Sequence, residues 1–294
     1  MKKIITISLF LIVGYVGYLR LDGFQVQKII NSELSSPKWD IQGDVSAGKK
    51  KEISKLLKQD FIYLNKGHQC FVFESADGKY VLKLINHDRF KLPEFLRFFS
   101  FLPFMRKIES NRKKRLRPTY ESFYLAYKYL KKETGLIYMQ LGENDLSSDY
   151  ISLIDRTKIK HKVPIANLQF MIQRKVEMIY PTLDKIYHEE GKEAFKNAID
   201  SFARVLITRC LKNIADDDLD VAINYGFIEN KAVLIDPGRL FYQKNLSQTE
   251  NIQKELLKSS KNFRAWLQDN YPEFVPEFEK RLMSYDDLFL RESL

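Results

Sequence analysis

Cysteine and histidine are scarce, and each shortage removes a class of explanation. Cys70 and Cys210 lie far apart in unlike contexts, so no disulfide framework is implied. His68, His87, His161 and His188 show no ligand spacing, which argues against a zinc site. There is no internal repeat and no low-complexity tract, so solenoids and biased linkers are set aside. No stacking aromatics or groove-reading motif accompany the basic residues, and nucleic acid is therefore not an expected partner. What remains is a 294-residue chain of 45% apolar content and net charge +10. It is long enough for one two-lobed domain or two small ones, and its charge by itself allows contact with phosphates, anionic lipid or nucleic acid without choosing among them.

Long uncharged runs are also few, and the first is N-terminal. Met-Lys-Lys precedes Ile4–Leu19, which carries no charge, and Arg20 closes the run. At ~1.5 Å per residue such a helix is about 24 Å long, short of a ~30 Å hydrocarbon core unless its flanks snorkel. An uncleaved membrane anchor, a cleaved signal segment and a buried helix all stay open. Tyr15-Val16-Gly17 offers no small-x-small cleavage site. Lys2 and Lys3 favour a cytoplasmic N-terminus with the main domain across the membrane, whereas Arg20 and Lys28 oppose that orientation. The second apolar run, Phe95–Phe104, precedes the basic stretch Arg106–Arg117. It reads as lobe core, as a partner groove, or as a second membrane contact whose basic flank meets anionic headgroups.

Residues 21–50 read as a linker and Lys50–Gln59 as a short amphipathic helix. Phe61–Tyr63, Cys70–Glu74 and Lys79–Ile85 read as strands, the last two joined by the turn Ala76-Asp77-Gly78. A helix follows from Pro118 through Lys132. Leu136–Leu141, Ile151–Ile154 and Leu168–Gln173 are further strands. From Lys175 the period becomes helical, with Met178–Glu190 and Lys192–Asn213 amphipathic, and the residues after Phe241 suffice for about three helices.

One late hairpin interrupts the helices. Tyr225–Ile228 and Ala232–Ile235 read as strands joined by Glu-Asn-Lys, with Asn224 entering and Asp236-Pro237-Gly238 leaving. An amide and a carboxylate so placed can present two oxygens to one hard cation, and magnesium on nucleotide phosphates is the usual one. Upstream, Ala215-Asp-Asp-Asp-Leu-Asp220 offers candidate catalytic bases. Asn224 and Asp236 also serve as ordinary turn caps, and the acids as a solvated turn after the long helix. Against that turn, anions at a helix C-terminus are unfavourable, and Asp216, Asp217, Asp218 and Asp220 repel one another unless a cation compensates.

Together these stretches resemble the protein-kinase-like enzymes. Leu64-Asn65-Lys66-Gly67-His68-Gln69-Cys70-Phe71-Val72 and then Tyr80-Val81-Leu82-Lys83 look like the phosphate-covering loop and the lysine of the third strand. Asp236-Pro-Gly238 is similar to the DFG motif, Asn224 to the catalytic-loop asparagine, and Asp218-Leu219 to the Asp-Leu of HRDL. Glu121 is placed like the helix glutamate that pairs with the lysine. The likeness covers roughly residues 60–240 in the family's order. It implies ATP and Mg2+ as cofactors, with Asn65, Gly67, Cys70, Val72 and Lys83 around the nucleotide. It also implies Asn224 and Asp236 on the metal and Asp218 or Asp220 as base, with Lys83 and Glu121 completing the catalytic set. The sequence departs from the pattern in keeping one loop glycine of three, in spacing Asp218 six positions before Asn224, in Pro237, and in lacking HRD context and an APE motif.

The resulting expectation is an α+β fold with two kinase-like lobes, β-rich (51–174) and then a shortened helical lobe (175–294). A hydrophobic segment (1–20) and a linker (21–50) precede them. The expected activity is membrane-tethered, ATP-dependent phosphotransfer to a protein, lipid or sugar hydroxyl. The alternative is a catalytically inactive scaffold domain at a membrane. Export of the domain would conflict with a need for ATP, so the side of the membrane stays open.

Overall fold

Alternation of apolar residues along three strands creates one fully dry sheet face, and the first half of the chain is organised around it. The structure, a computed structural model, describes residues 2–20, 23–30, 39, 45–92, 100–142, 146 and 149–284. The chain divides into two units: Met1–Leu116 with Ile137–Lys175, and Arg117–Leu136 with Val176–Leu294. In chain order the first elements are helices α1 (Lys2–Arg20) and α2 (Ala47–Leu56) and strands β1 (Asp60–Lys66), β2 (Cys70–Ser75) and β3 (Tyr80–Ile85). Helices α3 (Pro103–Lys113), α4 (Leu116–Tyr129) and α5 (Lys131–Thr134) follow. Then come β4 (Leu136–Gln140), β5 (Tyr150–Ile154), β6 (Lys160–Pro164) and β7 (Phe170–Arg174).

These seven strands form one sheet in the order β4-β7-β3-β2-β1-β5-β6, and β1 with β5 is a parallel pair. The register sets Phe71 opposite Leu84 and Phe73 opposite Leu82, with Phe170 and Ile172 continuing both rows. All six side chains are fully buried. Phe24 closes this face edge-on, with its ring 5.2 Å from both Phe71 and Phe73. Phe24 and Ile29 fall in the stretch read as a linker from composition, yet both are buried, Phe24 because it covers that face. Between β2 and β3, Gly78 (φ 68°) makes the expected turn, and Asp77 Oδ1 accepts from Ser75 Oγ at 2.6 Å.

The uncharged N-terminal run does form helix α1. Its large apolar side chains from Ile5 to Val16 stay 55–75% exposed. Among the described residues no helix is long and apolar enough to cross a membrane, so the expected transmembrane span is not met. Much of the Phe95–Phe104 run lies outside the described residues; at its end Phe101 and Phe104 are exposed, which does not suit core packing there.

The second unit is built on a long helix. Its further elements are β8 (Glu177–Met178), α6 (Ile179–Glu189), α7 (Lys192–Leu211), β9 (Ile214–Asp216), α8 (Val221–Asn224), β10 (Tyr225–Ile228), β11 (Lys231–Leu234) and β12 (Leu240–Tyr242). Helices α9 (Thr249–Ser259), α10 (Lys261–Asn270) and α11 (Val275–Met283) complete it. Helix α7 buries Phe195, Ile199, Phe202, Val205, Leu206 and Cys210 on its expected face. It also buries Ala203, Ile207 and Arg209, so it is a central helix rather than a one-sided one. Phe202 meets Phe263 at 4.5 Å and Tyr225 at 5.0 Å, joining the C-terminal helices to the hairpin.

The hairpin turn is tighter than its composition suggests. Glu229 (φ 49°) and Asn230 (φ 62°) alone occupy it, and Lys231 pairs with Ile228 instead of belonging to the turn. Positive φ at both central residues matches the twist of the flanking strands. On the other edge, Gly226 lies against β8 so closely that a Cβ there would sit 2.5 Å from the Glu177 carbonyl oxygen. Gly226→Ala should therefore push β10 away from β8 and cost about 1–3 kcal/mol, as overpacking does. Equilibrium urea unfolding measures this, and an unchanged midpoint would refute the close approach.

Candidate functional site

A run of acids becomes a built loop in the second unit because alternate carboxylates, Asp216, Asp218 and Asp220, each accept the amide two residues ahead. Asp216 Oδ1 accepts from the Asp218 amide at 2.9 Å. Asp218 Oδ1 accepts from Asp220 at 3.3 Å, and Asp220 Oδ1 from Ala222 at 3.1 Å, capping α8. The acid cluster thus has a structural use that its charges alone do not suggest. Cations answer the repulsion expected among the acids. Arg239 Nε lies 3.8 Å from Asp218 Oδ2, and Lys258 Nζ lies 3.5 Å from Asp217 Oδ1 and donates to the Asp216 carbonyl at 3.1 Å.

The loop delivers the chain to Asn224, which is buried. Its amide donates to the Asp220 carbonyl at 3.1 Å, and its carbonyl accepts from the Ile235 amide at 2.7 Å. That second bond continues the β10–β11 ladder by one step and sets Asn224 and half-buried Asp236 at the same open end of the hairpin. The Asn224 side-chain nitrogen is buried without a hydrogen-bond partner. Leaving such a donor unmet costs about 1–3 kcal/mol, so this nitrogen has a hydrogen bond unspent within the chain, while the atom that could meet a cation is Oδ1. Beyond Asp236 the backbone is pinned by Ser122 of α4, whose hydroxyl donates to the Pro237 carbonyl and accepts from the Leu240 amide. Strand β12 then pairs with β9, Leu240 opposite Asp216. Among the described residues no three His, Cys, Asp or Glu side chains converge as a cation cage. An Asn–Asp pair needs oxygens from a ligand to complete a magnesium shell, and magnesium is commonly held that way.

The first unit carries the other candidates. Register places Asn65 opposite Val72, Val72 opposite Lys83 and Lys83 opposite Met171, one row across four strands on the face away from Phe71 and Phe73. Cys70, opposite Ile85, shares that face and is buried. A bulge at Leu64 makes the row possible: Tyr63 still opposes Phe73, and the extra residue turns Asn65 to the other side. Lys83 is half-buried. The β1–β2 turn closes tightly, with the Gly67 amide donating to the Cys70 carbonyl at 2.9 Å. Glu121, on α4 in the second unit, is half-exposed, 3.9 Å from Arg117 one turn back.

Three participants were missed from sequence: Arg239, Lys258 and Ser122. Arg239 follows Gly238 directly, so a base beside the acid cluster was a usable signal. Lys258 and Ser122 reach the loop only through tertiary packing.

No protein-family profile matches the chain, and no curated protein matches it. Solved structures of WbdD are similar over part of their length. A 2.2 Å crystal structure shares 14% identity over 74% of this chain and 45% of that one, with a TM-score of 0.37. A co-crystal with the kinase inhibitor LY294002 shares 16% over 74% and 45%, with a TM-score of 0.35. The structure described as the bifunctional kinase-methyltransferase WbdD shares 14% over 72% and 42%, with a TM-score of 0.34. The chain thus spans less than half the length of these proteins.

Burial pushes the Asp216 carboxyl up to about 6, against the pull of Arg209. An unfolded aspartate releases its proton near ~4. Between those values the folded state binds more protons, so stability falls as pH rises through the window. Asp216→Asn keeps an oxygen for the Asp218 amide and removes the charge. It should stabilise the protein on the order of 2 kcal/mol at pH 7.5 and by almost nothing at pH 4. Urea unfolding at both pH values checks this; an equal effect at the two would refute it.

Proposed function

We propose that the chain is an ATP-dependent phosphotransferase of the protein-kinase-like type, attached to a membrane and acting on a protein, lipid or sugar hydroxyl. The observation that supports it best is the mouth of the β10–β11 hairpin, where the backbone of buried Asn224 is bonded to Ile235, so that Asn224 and Asp236 flank the same end of the ladder. Magnesium, when bound with nucleotide, would neutralise phosphate charge, with Asp236 and Asn224 as its protein ligands. Lys83 would hold phosphate oxygens as a point charge, and Asn65, Gly67, Cys70 and Val72 line the strands expected to cover the nucleotide. Asp218 would take the proton from the attacking hydroxyl. The hydroxyl oxygen bonds to the γ-phosphorus, the bond to the β-phosphate oxygen breaks, and ADP leaves. Helix α1, with its exposed apolar side chains bounded in sequence by Lys2, Lys3 and Arg20, is the segment that would meet lipid.

A second reading, a nucleotide-free scaffold at a membrane, is favoured by the β1–β2 turn. Its Gly67 amide is spent on Cys70 rather than left for phosphate. Thermal unfolding with Mg-ATP separates the two. Nucleotide at 100 times its dissociation constant should stabilise the protein by ~2.7 kcal/mol, and Asp236→Ala and Lys83→Met should each abolish that gain. Asp236→Ala should also lower transfer at least ~100-fold, the scale of losing a preorganised charge partner. No stabilisation of the unmodified protein at millimolar Mg-ATP would favour the scaffold, and full transfer by Asp236→Ala would remove the metal role.

A further inference from the structure

The first unit holds a second concentration of charge that the proposed transfer does not use. Where α3 meets the short turn His87–Arg89, a hollow of about 310 Å³ is lined by Arg89, Ile108, Asn111, Arg112 and Arg115. Its volume is at the lower end of small-ligand sites, ~300–1,000 Å³. Among the described residues the lining has three guanidinium groups and no carboxylate. Arg112 is fixed in place: its Nη1 donates to the Asp88 carbonyl and, at 3.3 Å, to the Lys91 carbonyl. Arg89 donates to the His68 ring, which fixes that imidazole nitrogen as an acceptor. Among the described residues neither Arg89 nor Arg115 pairs with a carboxylate. Nearby Glu109 is engaged by Lys113 at 2.9 Å.

Three like charges around one hollow repel each other. Burial, then Arg115 and Arg112, lower the Arg89 pKa below the ordinary guanidinium value. An anion with several oxygens relieves that repulsion, and the planar forks of arginine fit phosphate oxygens in pairs. Phe104, Ile108 and Asn111 recur at helical spacing along one face of α3, exposed apolar residues first, and Arg115 follows just past the end of the helix.

We propose that Arg89, Arg112 and Arg115, with Asn111, form a binding site for a phosphate-bearing ligand, distinct from the phosphates of a transferred nucleotide and independent of the transferase reading. The shared chemistry is a phosphate group, presented free or as an anionic lipid headgroup. Phe104 and Ile108 would add apolar contact in the second case.

The test uses the full chain in EDTA, with pyrophosphate as the soluble probe. The lipid probes are vesicles of phosphatidylglycerol in phosphatidylcholine and vesicles of phosphatidylcholine alone. Arg89→Gln/Arg115→Gln should weaken pyrophosphate binding, or binding to the phosphatidylglycerol vesicles, at least 10-fold. It should leave binding to pure phosphatidylcholine and the melting temperature unchanged. Loss confined to vesicles assigns the site to lipid; loss with pyrophosphate assigns it to a free phosphate compound. Arg115→Gln alone, at an exposed position, should weaken the same probe at least threefold even if the double variant folds poorly. Three results would each overturn the site. They are no binding of either probe, equal binding by wild type and variants, or a loss that follows Lys83→Met instead.

Discussion

A guanidinium cut off from water orders the second unit. Arg209 is 1% exposed, on the helix against which α6, α9, α11 and β11 pack. Its Nη1 donates at 3.2 Å to both the Ile214 carbonyl and Glu255, and its Nη2 donates to Ser259 at 2.7 Å. Burial alone would favour the neutral form, yet the surrounding groups raise its pKa and hold it charged. Removing one partner of such a pair is costly because it strands a buried charge. Glu255 passes the constraint on, accepting the Asp216 amide at 3.2 Å. From there the bonds run Asp216 to Asp218 to Asp220 to Ala222, and so to the helix that ends at Asn224. The candidate magnesium ligand is therefore positioned by a chain of hydrogen bonds that starts at an ion pair in the core. The same burial pushes the Cys210 thiol up to about 11, which makes it an unreactive packing group.

In the first unit the governing constraint is the difference between two faces of one sheet. Six apolar side chains and Phe24 dry one face completely, which fixes the register. Once the register is fixed, Lys83 must lie on the other face, in line with Val72 and Met171. The bulge at Leu64 adds Asn65 to that line without disturbing Tyr63, whose ring stays 5.5 Å from Phe73. A lysine there keeps its stem in apolar company, as long cationic side chains do.

Strong local signals were legible in the sequence and cross-chain ones were not. Strands β2 and β3, their turn, and helices α6 and α7 follow from period and turn chemistry, which are written in neighbouring residues. Strand β6 was missed because Lys160-His-Lys-Val-Pro164 is an edge strand whose alternation is polar. What fixes it is Asp155, which accepts from the Ile159 amide at 3.0 Å and pairs with His161 at 2.7 Å. Phe24 looked like linker because its partners lie some fifty residues away. The hairpin mouth was legible as a pair, since Asn224 and Asp236 flank strands with an evident register. Its supports were not, because Ser122 and Lys258 approach from other helices.

The two carboxylates expected as alternative bases are no longer equivalent. Asp220 is exposed and spends Oδ1 on the first turn of α8, so moving it would uncap the helix that carries Asn224. Its charge also helps, after burial, to push the Tyr180 hydroxyl up to about 12, which sets it beside an aromatic stack with Trp266. Asp217 is 65% exposed at its side chain and faces Lys258. Asp218 is half-buried, holds the Asp220 amide with one oxygen and turns the other toward Arg239. If transfer runs at this loop, Asp218 is the group whose orientation is set from two sides, the part that a preceding His-Arg would otherwise play. Arg239, 3.8 Å from Asp218 Oδ2, adds to that positioning. Positioning suits phosphoryl transfer, where holding and orienting the hydroxyl contributes more than removing its proton early.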